Sequence, residues 1–382
     1  MNPEQPLSKG ASAFLFDERC LWFHSGQASA LAAPVGGWVQ PLASGSGVAS
    51  ADCLRRLKSL MDASGLSAQL RIQSARPASL MEMARVHDRQ YLERFQHMSA
   101  NGGGELGLAA PFGPGGFELA ALSAGLAREA VSGVMGGEYQ RAYAACIPAG
   151  HHALRDQAMG STLLANSAIA VEHAIVELGA RRVAIVDWDV HHGNGTQSLF
   201  YERDDVFTVS LHQENCFPPG SGGADERGSG EGLGANLNIA LLPGCGHAQY
   251  LHAMEQLVVP ALLRFAPDLL VIGSGYDAST YDVLGHMQLH SGTFREMTRL
   301  MVEVAERLGH GRLVMIHEGG YSDVYVPFCA IAAIEALTGL STDVRDPFID
   351  FIQQQCLPED FDCLHRQRVR LQAQQLGLTP FS

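Results

Sequence analysis

Two aspartates and a histidine that could bind a hard or borderline metal ion alternate in the segment Asp187-Trp188-Asp189-Val190-His191-His192-Gly193-Asn194-Gly195-Thr196. In an extended chain Asp187, Asp189 and His191 point the same way, because side chains alternate with period 2, so a carboxylate and an imidazole can converge on one ion. The same residues could instead form a loop of polar groups that cap one another. The segment directly follows the apolar run Val183 to Val186, a context that favours the metal reading. Three other apolar runs also deliver polar groups at their ends. Gly273-Ser274-Gly275-Tyr276-Asp277 follows Leu269 to Ile272, His317-Glu318-Gly319-Gly320-Tyr321 follows Leu313 to Ile316, and Pro148-Ala149-Gly150-His151-His152 follows Arg141 to Ile147.

Asp189, His191 and Asp277 would supply two carboxylates and one imidazole and leave a fourth position open, as in a catalytic rather than a structural zinc site. Zinc or a similar divalent ion would acidify a water and polarise a substrate carbonyl, which is the chemistry of amide or ester hydrolysis. His151 and His152 could act as general base and acid, and the Tyr321 hydroxyl could donate to a developing oxyanion. Taken singly, Asp277 or Tyr321 reads as a turn residue; four such arrivals after four apolar runs read as a site.

The runs Arg141 to Ile147, Val183 to Val186, Val206 to Leu211, Leu269 to Ile272 and Leu313 to Ile316 predict buried parallel strands. Helical spacing predicts helices over Leu163 to Leu178, with Ser161 or Thr162 as N-cap, over Tyr250 to Phe265 and over Thr293 to Leu308. Strand and helix alternate, which predicts an α/β fold whose ligands bind at the carboxyl ends of the strands. Gly102 to Gly116 and Pro218 to Gly234 read as functional surface loops. No linker divides the chain, so one domain over 1–382 is expected. Its core would span about 15–345 and a helical extension about 346–382, with Leu364, Val369 and Leu371 as the apolar residues of the extension.

Lys plus Arg number 26 against 40 Asp plus Glu, a net charge of −14, and no basic run is present, which argues against a nucleic-acid binder. The acidic balance suits a cationic small molecule or a lysine side chain as partner. Eight Cys without a C-x-x-C pair, and an N-terminus without a basic stretch followed by an apolar one, predict a cytoplasmic protein with reduced thiols and no membrane span.

Gly150-His151-His152, the Asp187 to Thr196 segment, Gly275-Tyr276-Asp277 and Glu318-Gly319-Gly320-Tyr321, in this order, resemble the histone deacetylase and acetylpolyamine amidohydrolase superfamily, over about Val86 to Thr338. Asn194, Ser210-Leu211-His212-Gln213 and Cys216-Phe217-Pro218-Pro219 resemble the bacterial class II deacetylase-like amidohydrolases most. The resemblance implies an arginase/deacetylase fold, Zn bound by Asp189, His191 and Asp277, and hydrolysis of acyl-lysine or a similar acylated amine. It implies His152 as the proton-transferring histidine, oriented by Asn194, and His151 as its electrostatic partner, oriented by Asp187. Tyr321 matches the oxyanion tyrosine. A structural potassium ion is implied at Asp187, Asp189, His191, Ser210 and Leu211, a second such site near Phe200, Arg203 and Val206, and a homodimer or homotetramer.

The acyl-lysine tunnel of such enzymes would be lined here by Phe217, Gly160, Ser161 and Leu284. Ser161 stands where the resemblance implies a phenylalanine. Losing a ring packed on substrate weakens grip on a methylene chain by about 1–3 kcal/mol and widens the slot. Gly107-Leu108-Ala109 occupies the stretch where class I relatives carry an aspartate that grips the substrate backbone. His24 to Gln40, with Gly36-Gly37-Trp38, is expected as a loop near the mouth. Other readings are an acetylpolyamine or bulkier acyl-amide hydrolase, and a sensor that holds an acylated ligand without turnover. A binuclear arginase-like hydrolase would need further metal carboxylates that the sequence does not offer.

Overall fold

The computed structural model describes residues 12–24, 50–355 and 357–379. Eight strands form one sheet: β1 (Ala13–Leu15), β2 (Arg71–Gln73), β3 (Arg141–Ala144), β4 (Val183–Asp187), β5 (Val206–Gln213), β6 (Asn236–Leu241), β7 (Leu269–Ser274) and β8 (Leu313–His317). Their order is β6-β5-β4-β7-β8-β3-β1-β2, and every neighbouring pair is parallel. This is the α/β fold of the arginase/deacetylase type.

The central strands read as continuous apolar runs because both of their faces are covered. Ala184, Val186, Leu270, Ile272, Leu313 and Met315 face one core, under helices Asp52–Ala63, Ser291–Arg307 and Val326–Thr338. Val183, Ile185, Leu269, Val271, Val314 and Ile316 face the other, under Arg89–Ala100, Gly116–Met135 and Asn166–Val176. The register puts Asp187 level with Gly273 on one side and Ser210 on the other, and Ser274 level with His317. The polar segments after β4, β7 and β8 therefore leave the sheet along one edge.

Several expected boundaries move, each for a local reason. β3 ends at Ala144 because the Cys146 N–H turns back to the Ala144 carbonyl (2.9 Å) and Pro148 has no N–H to continue a ladder. The helix expected from Leu163 begins at Asn166; Ser161 and Thr162 do not cap it. Ser161 has φ +62°, and the Thr162 hydroxyl donates to the Met159 carbonyl (2.8 Å), so both belong to a tight turn. The helix expected over Tyr250 to Phe265 starts at His247 and carries a π turn at Met254–Val258, just before Pro260, whose missing N–H breaks the i→i−4 ladder.

The C-terminal helix is present over Glu359–Leu376. It packs through His365, Val369 and Ala373, while Leu364 and Leu371 are exposed. Within the glycine-rich stretch, Gly107–Leu108 pairs with Ala158–Met159, which ties the rim to the turn bearing Gly160 and Ser161. The loop expected at the mouth lies outside the described residues apart from His24, whose carbonyl accepts the Gly113 N–H at 3.0 Å. Among the described residues, no helix is long and apolar enough to cross a membrane.

Ile272 is fully buried at the centre of the sheet. Ile272→Ala should lower the unfolding free energy by about 2–5 kcal/mol, read from the shift of a urea unfolding curve against wild type.

Candidate active site

Beyond β4 the chain makes two consecutive turns in which an aspartate accepts the N–H two residues on. Asp187 Oδ1 accepts from Asp189 N (3.0 Å) and Asp189 Oδ1 from His191 N (2.9 Å). The extended alternation expected over Asp187, Asp189 and His191 is thus replaced by turns, and Asp187 does not join the other two in one cluster. Its Oδ2 accepts a hydrogen bond from His151 Nδ1 at 3.0 Å.

Asp189, His191 and Asp277 do converge. Their ligand atoms lie within 4.8 Å of one another, with His191 Nδ1 3.0 Å from Asp189 Oδ1 and 3.1 Å from Asp277 Oδ2. Both carboxylates have no exposed surface and no Lys or Arg partner among the described residues. Backbone N–H groups satisfy their outer oxygens: Gly319 N donates to Asp189 Oδ2 and Val190 N to Asp277 Oδ1, each at 2.7 Å. The backbone comes this close because of glycine. A Cβ on Gly275 would lie 2.6 Å from Asp189 Cα, and one on Gly319 would collide with both carboxylates.

Burial resists charge on Asp189, but His151 and His191 hold it ionised, whereas burial and the Asp189 charge push Asp277 well above the usual carboxylate range. The protein's own cations therefore do not compensate two carboxylates. Two carboxylate oxygens and one imidazole nitrogen aimed at one point fit a divalent cation, with zinc matching the donor set.

Beside this cluster the two adjacent histidines are differentiated. Burial opposes protonation of His151, yet Asp189 and Asp187 outweigh it and raise its pKa to about 10. Burial and the neighbouring His151, 3.8 Å away between ring centroids, push His152 well below 6.5. Asn194 Oδ1 lies 2.8 Å from His152 Nδ1 and can only accept, so Nδ1 carries the proton and Nε2 keeps its lone pair. Burial, with Asp277 and Asp189 nearby, keeps the Tyr321 phenol protonated, as an oxyanion donor requires; its ring stands 6.2 Å from that of His191.

The expected tunnel residues gather on the same side. Phe217 packs edge-on to His152 (5.0 Å) and His191 (6.1 Å). Gly160, at φ +54°, passes so close that a Cβ would lie 2.6 Å from the His152 ring and 2.9 Å from Phe217. Ser161 follows and donates its N–H to the Ala109 carbonyl (2.7 Å), while the Leu284 carbonyl accepts from the Cys216 thiol (3.8 Å). Ser161, with Phe23, Cys53, Leu54, Glu318 and Tyr321, lines a pocket beside the cluster. Ser210, level with Asp187, shares its hydroxyl with Gly193 N (3.4 Å) and His212 Nδ1 (2.9 Å), and Leu211 is buried beside it.

Three supporting residues were not anticipated. Glu318 is buried and accepts the N–H groups of Gly150 (2.7 Å) and His151 (3.1 Å), which fixes the turn bearing the histidine pair; burial, against the pull of His151, raises its pKa to about 7. His192 bonds Ser221 (2.9 Å) and Gln197 (3.0 Å) through its ring and the Phe217 carbonyl (3.0 Å) through its N–H, anchoring the loop that presents Phe217. Asp282 receives the N–H of Tyr321. All three lie in or next to segments whose glycines and histidines stood out, but nothing in residue type announces that Glu318 and Asp282 accept backbone N–H groups or that His192 anchors a loop.

The depressed pKa of His152 predicts that its basic form persists below pH 6.5, so the acidic limb of kcat/KM due to this group lies beneath that value. Asn194→Asp adds a negative charge at Nδ1, raises the pKa of the base and should move the limb upward; a pH–rate profile that does not move would remove His152 from the role. Gly275→Ala should cost the bound divalent ion, measured as metal per chain, because Asp189 cannot keep its place beside a Cβ.

A family model of the histone deacetylase domain matches residues 48–337. The chain is 53% identical over 369 residues to a histone deacetylase-like amidohydrolase of Pseudomonas aeruginosa, covering 97% of each protein. It is 36% identical to histone deacetylase 8 of Arabidopsis thaliana, over 75% of this chain and 78% of that protein. The crystal structure of the HDA15 HD domain superposes with a TM-score of 0.79 at 27% identity, covering 96% of this chain and 99% of that one. With Asp189, His191 and Asp277 gathered at the strand ends, a family model over most of the chain and a relative 53% identical over 97% of it, the protein belongs to the histone deacetylase family.

Proposed function

We propose that this chain is a metal-dependent amidohydrolase that removes acyl groups from lysine side chains or similar amines. The observation that carries the reading is the convergence of a two-carboxylate, one-imidazole cluster with a neutral histidine of fixed tautomer and a protonated tyrosine. A divalent ion, zinc by its donor set, held by Asp189, His191 and Asp277 would acidify water and polarise the amide carbonyl. The remaining work falls to the chain. His152 Nε2 takes the proton from the attacking water and returns it to the departing amine. His151, kept cationic by Asp187 and Asp189, holds His152 neutral until that transfer and then shares the site with a second positive charge, which favours proton release to the amine. The Tyr321 hydroxyl donates to the oxygen on which negative charge develops.

Phe217 and Leu284 are read as walls against the alkyl stem of the substrate, and Ser161 leaves room where a ring would have narrowed the slot. A potassium ion at the Asp187–Ser210 strand ends, assembly into a homodimer or homotetramer, and a cytoplasmic location complete the reading. The adjacency of Asp187 and Ser210 supports the first, and the absence of a basic run argues against nucleic acid as a partner.

Turnover of acetyl-, trifluoroacetyl-, butyryl- and longer acyl-lysines beside acetylated polyamines, with zinc-loaded and chelated protein, tests the function. Zinc-dependent cleavage of acyl-lysines is expected, and metal-independent turnover would overturn it. Tyr321→Phe should lower kcat by about 10²–10³-fold with metal content unchanged; full retained activity would remove the oxyanion role.

A further inference from the structure

Asp282 takes no part in the chemistry above, yet it is bonded to two of its parts. Its Oδ2 accepts the backbone N–H of Tyr321 at 2.7 Å and its Oδ1 accepts that of Leu284 at 2.8 Å, with the Gly285 N–H also directed at it. It forms no ion pair among the described residues; burial, with Asp189 nearby, raises its pKa against the pull of the backbone N–H groups of Leu284, Tyr321 and Gly285. It lies in the turn after the metal ligand Asp277, closed by its own N–H on the Ser279 carbonyl (3.1 Å). Leu284, on its other arm, meets the Cys216 thiol next to Phe217. A carboxylate can accept on both oxygens at once. Asparagine in the same place would turn an NH₂ toward one of the N–H groups and lose that bond.

We propose that Asp282 is a positioning residue that sets Tyr321 and Leu284 as one unit, so that seating of the substrate stem and presentation of the oxyanion hydrogen bond are coupled. The proposal rests on the reading of Tyr321 as oxyanion donor and Leu284 as tunnel wall. One carboxylate thereby joins the loop after β7, which forms the wall, to the loop after β8, which bears the tyrosine. A substrate that displaces Leu284 pulls on the Tyr321 backbone through two hydrogen bonds.

The test is a double-mutant cycle on the full-length, metal-loaded chain, with kcat, KM, metal content and melting temperature measured for Asp282→Asn, Tyr321→Phe and the pair. Asp282→Asn is expected to lower kcat by about 10- to 100-fold, as small misplacements of a catalytic group do, and to raise KM, with metal content unchanged. In the Tyr321→Phe background the same substitution should lower kcat by less than about threefold while raising KM by the same factor, because its effect on kcat runs through the hydroxyl already removed. Equal kcat losses in both backgrounds, or a kcat within twofold of wild type for Asp282→Asn, would overturn the coupling. If Tyr321→Phe itself keeps full activity, the functional reading fails and the coupling with it. Should Asp282→Asn not fold, Asp282→Glu, which keeps both acceptor oxygens but sets them one methylene too far, carries the same cycle and should show the same non-additivity.

Discussion

Negative charge held out of water governs the arrangement of this molecule. Asp187, Asp189, Asp277 and Glu318 are all buried at one end of the sheet, and no Lys or Arg side chain reaches them among the described residues. A buried carboxylate without compensation is costly, so every one of these oxygens must find a donor. The donors are backbone N–H groups of Asp189, Val190, His191, Gly319, Gly150 and His151, together with two imidazoles and the Ser167 hydroxyl. The ligand atoms of Asp189, His191 and Asp277 that these donors leave facing one another fit a dication, which ties the stability of this end of the fold to its chemistry.

The parallel sheet makes that arrangement possible. Because all its strands run the same way, their carboxyl ends lie along one edge, where the chain turns and its N–H groups are free of the ladder. β3, β4, β7 and β8 bring, respectively, the histidine pair, the first two ligands, the third ligand and the tyrosine. Hydrogen bonds between these loops, Glu318 to the histidine turn and Gly319 to Asp189, then fix them relative to one another, with no disulfide among the described residues.

Much of this was legible in residue type and spacing. The five apolar runs read as strands do contain strands, and the polar groups that follow four of them meet at one place, because burial on both faces leaves a continuous apolar pattern. The strands toward the two ends of the sheet were not visible: Ala13–Leu15 and Arg71–Gln73 have three residues each, and Asn236–Leu241 alternates asparagine with leucine and isoleucine because Asn236 and Asn238 serve a buried amide network. Helix Gly116–Met135 was hidden by its own composition, since a face of small residues lets it lie close to neighbouring chain, as at Gly125 beside the Arg76 carbonyl. At the site, ligands and bases are recognisable by type, whereas Glu318, His192 and Asp282 act on backbone groups whose positions only the fold defines.

Gly160 shows how such a pocket can and cannot diversify. At this position the wall beside His152 and Phe217 is main chain, so its path, rather than any side chain, sets the width on that side. Natural variation or engineering at residue 160 has nothing to work with, because any Cβ would invade the base. On the proposed reading, adaptability falls instead to Leu284, whose side chain is exposed, and to Ser161, which lines the neighbouring pocket. The gauge of substrate girth would then lie in side chains that can grow or shrink beside a main-chain wall that cannot.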